Sequence, residues 1–183
     1  MQDERARVLS EIEKQLRMLG DSGFAGLIPE VGSNLAYALE GAGGPGDVAA
    51  VPGRIRNAMG KPVFIKPRFG ASSHVSSIIL AAMRRDPGKR CALNIRYSPG
   101  IISALESMGL NVVFIDRMSE PDEIKDKEGA SVPWVFEMAC GKSGQVPDVI
   151  YHRGAVGKEA ITQIIGKDPA HVTRIVMRLL EMV

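Results

Sequence analysis

The chain has 183 residues, 45% of them hydrophobic and 24% charged, with a formal net charge of +2, enough for one ordinary globular domain with a full core. Its basic residues lie singly or in pairs such as Arg84–Arg85, so no basic stripe points to nucleic acid, and no apolar run approaches the ~20 residues of a membrane span. The charged first twenty residues do not read as a secretory signal; Cys91 and Cys140, each inside an apolar segment, read as buried reduced thiols of a cytoplasmic protein.

Val8, Leu9, Ile12, Leu16 and Leu19 share one face and predict a helix over 2–19. Asp3, Glu4, Glu11 and Glu13 lie toward its start, where the helix dipole favours them. Gly20 and Gly23 end it. This helix is either packed on the domain or an arm or linker, so 1–23 is set apart from a domain over 24–183. Leu35, Tyr37 and Leu39 alternate as in a strand; 41–46 is a Gly-rich turn, and 47–55 reads as a short helical turn and loop. From there strand and helix alternate: strand 62–67, helix 72–85, strand 91–97, helix 99–109 with Pro99 at its start and Gly109 at its end, and strand 111–116. A charged loop over 118–130 precedes a short helix at 132–141, a strand at 148–153, a helix at 157–166 and a last helix that starts at Asp168–Pro169. The alternation predicts a three-layer α/β domain with a parallel or mixed sheet.

In open α/β sheets ligands gather where strands end and helices begin. The strand ends here are rich in arginine with polar neighbours: Arg68, Gly70, Ser72, Ser73 and His74; Asn94 and Arg96; Asp116 and Arg117; His152 and Arg153, followed by Gly157, Lys158 and Glu159. Free N–H groups at a helix start, a glycine, hydroxyls and guanidinium groups make an anion site. Several such ends together point to a ligand with more than one phosphate, or to two phosphorylated ligands. Plain structural readings stand beside this one. Ser72 or Ser73 could serve only as an N-cap, Gly70 only the turn, and Arg96 could pair with Asp116. "GAVGK" at 154–158 is not a P-loop, because two residues separate its glycines and Glu159 follows its lysine. Metal-ligand spacings are absent, with no HExxH and no paired CxxC. A magnesium ion carried by phosphate oxygens would leave no such signature; Asp116, Glu120, Asp148 and Glu159 are its candidate carboxylates.

Six blocks in order, "LIPEVGSNLAYALEGA" (27–42), "DVAAVPGRI" (47–55), "PRFGASSHV" (67–75), "ALNIRY" (92–97), "PDVIYHRGAVGKE" (147–159) and "GKDPAHV" (166–172), resemble the ThiN family of archaeal thiamine-phosphate synthases. The resemblance runs from about residue 24 to the end of the chain. It implies a three-layer α/β/α sandwich with a mixed sheet, like the class II aldolases (AraD-like), without their histidine-bound zinc. It implies that hydroxymethylpyrimidine diphosphate is joined to hydroxyethylthiazole phosphate, giving thiamine phosphate and pyrophosphate, with Mg2+ arriving on the diphosphate. Arg54 and His74 fall on the motif positions associated with activity. The resemblance assigns Arg54 to the diphosphate or its bridging oxygen, and His74 to donating a hydrogen bond or a proton as that group leaves. Asn34, Arg68, Gly70, Ser72, Ser73, Asn94, Arg96, Asp116, Arg153, Gly157, Lys158 and Glu159 are expected to hold substrate and phosphate; no metal ligand is expected. The partners expected are small phosphorylated molecules, not nucleic acid or membrane, with a homodimer contact as one role for the first helix. The same domain occurs fused to a hydroxymethylpyrimidine phosphate kinase or to helix-turn-helix regulators. A non-catalytic sensor of thiamine phosphates is therefore the alternative reading.

Overall fold

The computed structural model describes residues 2–127 and 129–183. Its elements are α1 (Gln2–Gly20), β1 (Leu35–Ala38), β2 (Val48–Ala50), β3 (Arg56–Ala58), β4 (Lys61–Val63), β5 (Arg68–Phe69), α2 (Ser73–Arg85), β6 (Cys91–Arg96), α3 (Pro99–Ser107), β7 (Val112–Phe114), α4 (Asp122–Lys125), α5 (Ser131–Ser143), β8 (Val149–His152), β9 (Ile161–Gly166) and α6 (Pro169–Leu180). Seven strands form one sheet in the order β5-β2-β1-β6-β9-β8-β7. Among the described residues only the β7–β8 pair is parallel, so the sheet is mixed and largely antiparallel. The β3–β4 hairpin stands apart from it.

Side chains alternate across each strand, so the sheet feeds two cores. Leu35, Leu93, Ile95, Val149 and Ile164 face a layer made by α1, α3 and α6. Ala36, Ala38, Ala50, Ala92, Ile150 and Ile165 face α2 and α5. The alanines leave room for α2 to lie close on β1 and β6, with Val75, Ile79 and Ala82 packed over them. Helix α1 lays Val8, Ile12, Leu16 and Leu19 into the first core beside α6. Local chemistry sets the helix starts. Asp168 accepts the His171 N–H at 2.7 Å and Ser98 accepts that of Ile101, each just before a proline in the first turn.

Four sequence expectations change. Residues 157–166 are not a helix: Ile161–Gly166 is β9, inserted between β6 and β8. Its residues are shielded on both faces, so no polar alternation marks it. Residues 48–50 are β2 rather than a helical turn, because pairing with β1 and β5 overrides the helical preference of alanine. The strand expected at 62–67 divides into β4 of the separate hairpin and an irregular stretch leading to β5. Within the loop expected at 118–130 lies the short helix α4. Both cysteines are free and buried.

Candidate active site

Strands β6 and β8 both run antiparallel to β9, and β7 runs with β8. The carboxyl ends of β6, β7 and β8 therefore meet the start of β1 and of β9 at one end of the sheet. A cleft of about 380 Å³ opens there, lined by Asn34, Arg54, Ser72, His74, Asn94, Arg117, Ser131, His152, Lys158 and Glu159 among others. A second cavity of about 460 Å³ adjoins it on the side of Gly53, Arg54, Arg56 and Ser73. A small pocket of about 50 Å³ adjoins it on the side of Gln163 and Phe136. His74 lines all three.

The start of α2 is built to face a ligand. Ser72 occupies the N-cap position, yet its hydroxyl makes no capping bond, and the first turn carries no acid. Ser76 and Ser77 instead donate to the Ser72 and Ser73 carbonyls one turn back. The first N–H groups of α2 are thus left to the cavity that Ser72, Ser73 and His74 line.

Arg54 comes to the same cavity from the opposite wall. It is held in the left-handed region at φ 70, after Gly53 at φ 69, which costs an L-residue ~1–2 kcal/mol. Paired Ser33–Ile55 backbone bonds of 3.0 and 2.7 Å fix the turn. Its Nη1 donates to the Val31 carbonyl at 2.7 Å, and Arg56 donates to that of Glu30 at 3.1 Å. Gly32, at φ 88, lies close beneath, where an added Cβ would sit 3.0 Å from the Ile55 carbonyl. Side chains fasten segment 30–34 from both ends. Glu159 accepts the Glu30 and Val31 N–H groups. Asn34 exchanges two 2.9 Å bonds with Val51, and Asn94 ties Gly32 and Asn34 to β6.

The far wall is an ion network. Arg117 and Glu120 are both buried and paired at 2.9 Å, and Lys158 reaches the same Glu120 oxygen at 3.1 Å. Burial alone would raise the Glu120 carboxyl, but hydrogen bonds from Ser131 and Lys158 and the Arg117 charge outweigh it, and its pKa is lowered. Desolvation pushes His152 down to about 4, helped by Arg117, His74 and Lys158. Its Nδ1 accepts the Gly154 N–H at 3.2 Å, so the neutral ring carries its proton on Nε2. His74 is open to the cleft, yet the protein around it displaces enough water to lower its pKa, and Arg54 and Arg117 push the same way. Both imidazoles are neutral near pH 7 and can donate hydrogen bonds without carrying charge.

Of the expected site residues, Arg54, His74, Asn34, Ser72, Ser73, Asn94, Gly157, Lys158 and Glu159 come together at these cavities. Asn34, Asn94 and Glu159 spend their polar atoms on the loop rather than on open space. Gly157 and Lys158 do not begin a helix: Ala155 and Lys158 bridge a tight turn, with Gly157 at φ 70. Arg68, Gly70, Arg96, Asp116 and Arg153 lie outside the lining. Arg68 and Arg96 are exposed strand residues, and Gly70 turns the chain at φ 71. Arg153 sits over the Phe114 ring at 5.2 Å. Asp116 caps the turn that presents Arg117, accepting the Met118 N–H at 2.9 Å, and makes no pair with Arg96. Arg117 and His152 were noted among the strand-end groups of the sequence but not carried into the expected site, and Ser131 and Gln163 were not singled out. The first two stood at strand ends beside Asp116 and Arg153, and only the folded turns show which neighbour points inward. Ser131 and Gln163 carried no signal.

Among the described residues no group of three or more His, Cys, Asp or Glu side chains could hold a metal ion. Of the carboxylates at the cleft, Glu159 is engaged by two amides and Glu120 Oε2 by Arg117 and Lys158, while Glu120 Oε1 is buried without a hydrogen-bond partner. No helix among the described residues is long and apolar enough to cross a membrane.

Comparison with known proteins shows the family and the fold. The chain is 43% identical over 174 residues to the thiamine-phosphate synthase ThiN of Methanothermobacter thermautotrophicus, covering 94% of this chain and 92% of that protein. It superposes with a TM-score of 0.91 and 39% identity on the C-terminal domain of a phosphomethylpyrimidine kinase, covering 96% of this chain and all of that one. An aldolase II superfamily protein from Pseudomonas syringae shares the fold at a TM-score of 0.54 and 11% identity, over 98% of this chain and 74% of that one. The profile of the family thiamine-phosphate synthase ThiN matches residues 11–178. With its α/β/α layers, its mixed sheet and these matches, the chain belongs to the ThiN family of thiamine-phosphate synthases.

Proposed function

We propose that the cleft between Arg54 and the start of α2 is where this thiamine-phosphate synthase joins hydroxymethylpyrimidine diphosphate to hydroxyethylthiazole phosphate. The observation that carries the assignment is the uncapped, acid-free N-terminus of α2 facing Arg54 across a cavity of about 460 Å³. In the reaction the bond between the exocyclic carbon of the pyrimidine and the diphosphate oxygen breaks. The amino group feeds electron density to that carbon, the pair leaves with pyrophosphate, and the thiazole nitrogen supplies the pair for the new C–N bond. Little proton transfer is needed. The protein's task is to hold the partners in line and to stabilise charge on the leaving group.

Arg54 and the first N–H groups of α2 take the diphosphate. His74 donates a hydrogen bond to the departing oxygen; as a neutral imidazole it is a hydrogen-bond donor rather than a proton source. Lys158, on the opposite wall, takes the thiazole phosphate. Asn34, Asn94 and Glu159 keep the 30–34 segment, and with it Arg54, in position. Magnesium enters, in this reading, only as a companion of the diphosphate. A cytoplasmic location fits the two free thiols.

The test is direct. The purified protein is incubated with both substrates and magnesium, and thiamine phosphate is detected as fluorescent thiochrome. Product that scales with enzyme and vanishes in His74→Ala supports the assignment. Thiamine phosphate binding without product would instead make the cleft a sensor site.

A further inference from the structure

The pocket of about 50 Å³ is not explained by phosphate chemistry. Its walls are mostly apolar, formed by Ile78, Val135, Phe136 and Ile150, while the phosphate-side cavity next to it is lined by arginine and serine. Yet polar groups reach it without partners. Gln163 is 94% buried, since 6% of its surface remains exposed, and its Nε2 has no hydrogen-bond partner. Arg117 is equally buried, with its Nε unpaired. The His152 Nε2–H, fixed by the Gly154 contact, belongs to the same lining. A buried carboxamide donor left unsatisfied is destabilising, so its retention in the middle of a central strand calls for a ligand.

Gln163 has a defined place. It sits opposite Asn94 of β6 and Ile150 of β8, on the sheet face that carries His152 and Ile161. A carboxamide presents a donor and an acceptor side by side. Its complement is a ring-nitrogen acceptor beside an exocyclic amine donor; on adenine, Asn and Gln read a comparable donor–acceptor pair at N6 and N7. Of the two substrates, only the pyrimidine has this edge. The thiazole has one ring nitrogen, which must stay free to attack, and no amine.

We propose that Gln163 is a specificity-determining residue that pairs with the amino group and adjacent ring nitrogen of the aminopyrimidine, whose ring enters the pocket between Phe136 and Ile78. This rests on the reading of the cleft as the synthase site. The ring then lies next to His74, which borders both the pocket and the phosphate-side cavity, so the exocyclic carbon is placed between them.

The test is calorimetric and needs no turnover. The wild-type protein is titrated with 4-amino-5-hydroxymethyl-2-methylpyrimidine phosphate, with the same molecule bearing hydrogen in place of the amine, and with hydroxyethylthiazole phosphate. The series is repeated on Gln163→Met, which keeps the volume. Wild-type protein should prefer the aminated ligand by about tenfold or more. Gln163→Met should lose that preference and keep its affinity for the thiazole phosphate. Equal binding of the two pyrimidines by wild-type protein overturns the proposal, even if the variant fails to fold. So does a preference that survives in Gln163→Met, or an equal loss of all three ligands. The thiochrome assay on wild-type protein judges the synthase reading separately: product without amine preference removes the role of Gln163 alone, whereas amine preference without product removes the synthase reading alone.

Discussion

The two carboxylate oxygens of Glu159 each accept one backbone N–H, from Glu30 and from Val31, both at 2.9 Å. The Val31 carbonyl in turn receives Arg54. A residue that reads as a ligand group in the sequence is thus the anchor of the loop that aims another. Glu159→Ala should lower stability by about 1–2 kcal/mol and lower kcat/KM, while Glu159→Gln, which keeps one acceptor, should fall between. Urea unfolding alongside steady-state kinetics checks both. Unchanged kinetics in the alanine variant would detach the loop from catalysis.

Arg54→Ala and His74→Ala should each reduce turnover by ~100-fold or more with little change in melting temperature. Their side chains face open cavities rather than the core. Because desolvation holds the His74 pKa below its ordinary value, the wild-type rate should stay level from pH 7 to 8. A rate that falls across that interval with the titration of one group, and loses this dependence in His74→Gln, would make His74 an acid.

His152 has a folded pKa of about 4 against an ordinary value of 6.5. The unfolded chain therefore takes up its proton first as pH falls. The native state keeps its full stability above pH 6.5 and loses about 3 kcal/mol on this group's account by the time pH reaches its folded pKa. Denaturant titrations at neutral and acid pH should show His152→Gln less acid-sensitive than wild type by about that amount. Equal pH dependence of the two proteins would contradict the shift.

Leu16 of α1 is fully buried against the same core as α6. Leu16→Ala should cost ~2–5 kcal/mol, read from the urea midpoint. A loss under about 0.5 kcal/mol, the size of an ordinary surface substitution, would show that the helix is an appendage rather than part of the core.

Much of the site was legible because its signals are local. Gly70, Ser72, Ser73 and His74 mark a helix start within a few residues, whereas Arg54 was indicated only by the family resemblance of the block at 47–55. What the local signals left open was which of these groups are free. The Ser72 hydroxyl does not cap, while Asn34, Asn94 and Glu159 are engaged by backbone groups that arrive from elsewhere in the chain. Gln163 was hidden because 157–166 reads locally as a helix. Only a strand puts its side chain on one face with His152 and Asn94.

The sequence by itself determined the α1 face, the capped starts of α3 and α6, the start of α2, and the membership of strand and helix over most of the chain. Each depends on residues within one or two helical turns of one another. Only the tertiary structure decided that the sheet is largely antiparallel, that β9 runs through its middle, and that Arg117, His152 and Gln163 meet beside His74. The physical reason is that strand partners and clamps are chosen by packing across the whole chain. Glu159 and Glu30 are 129 residues apart, and no spacing within either segment records that contact.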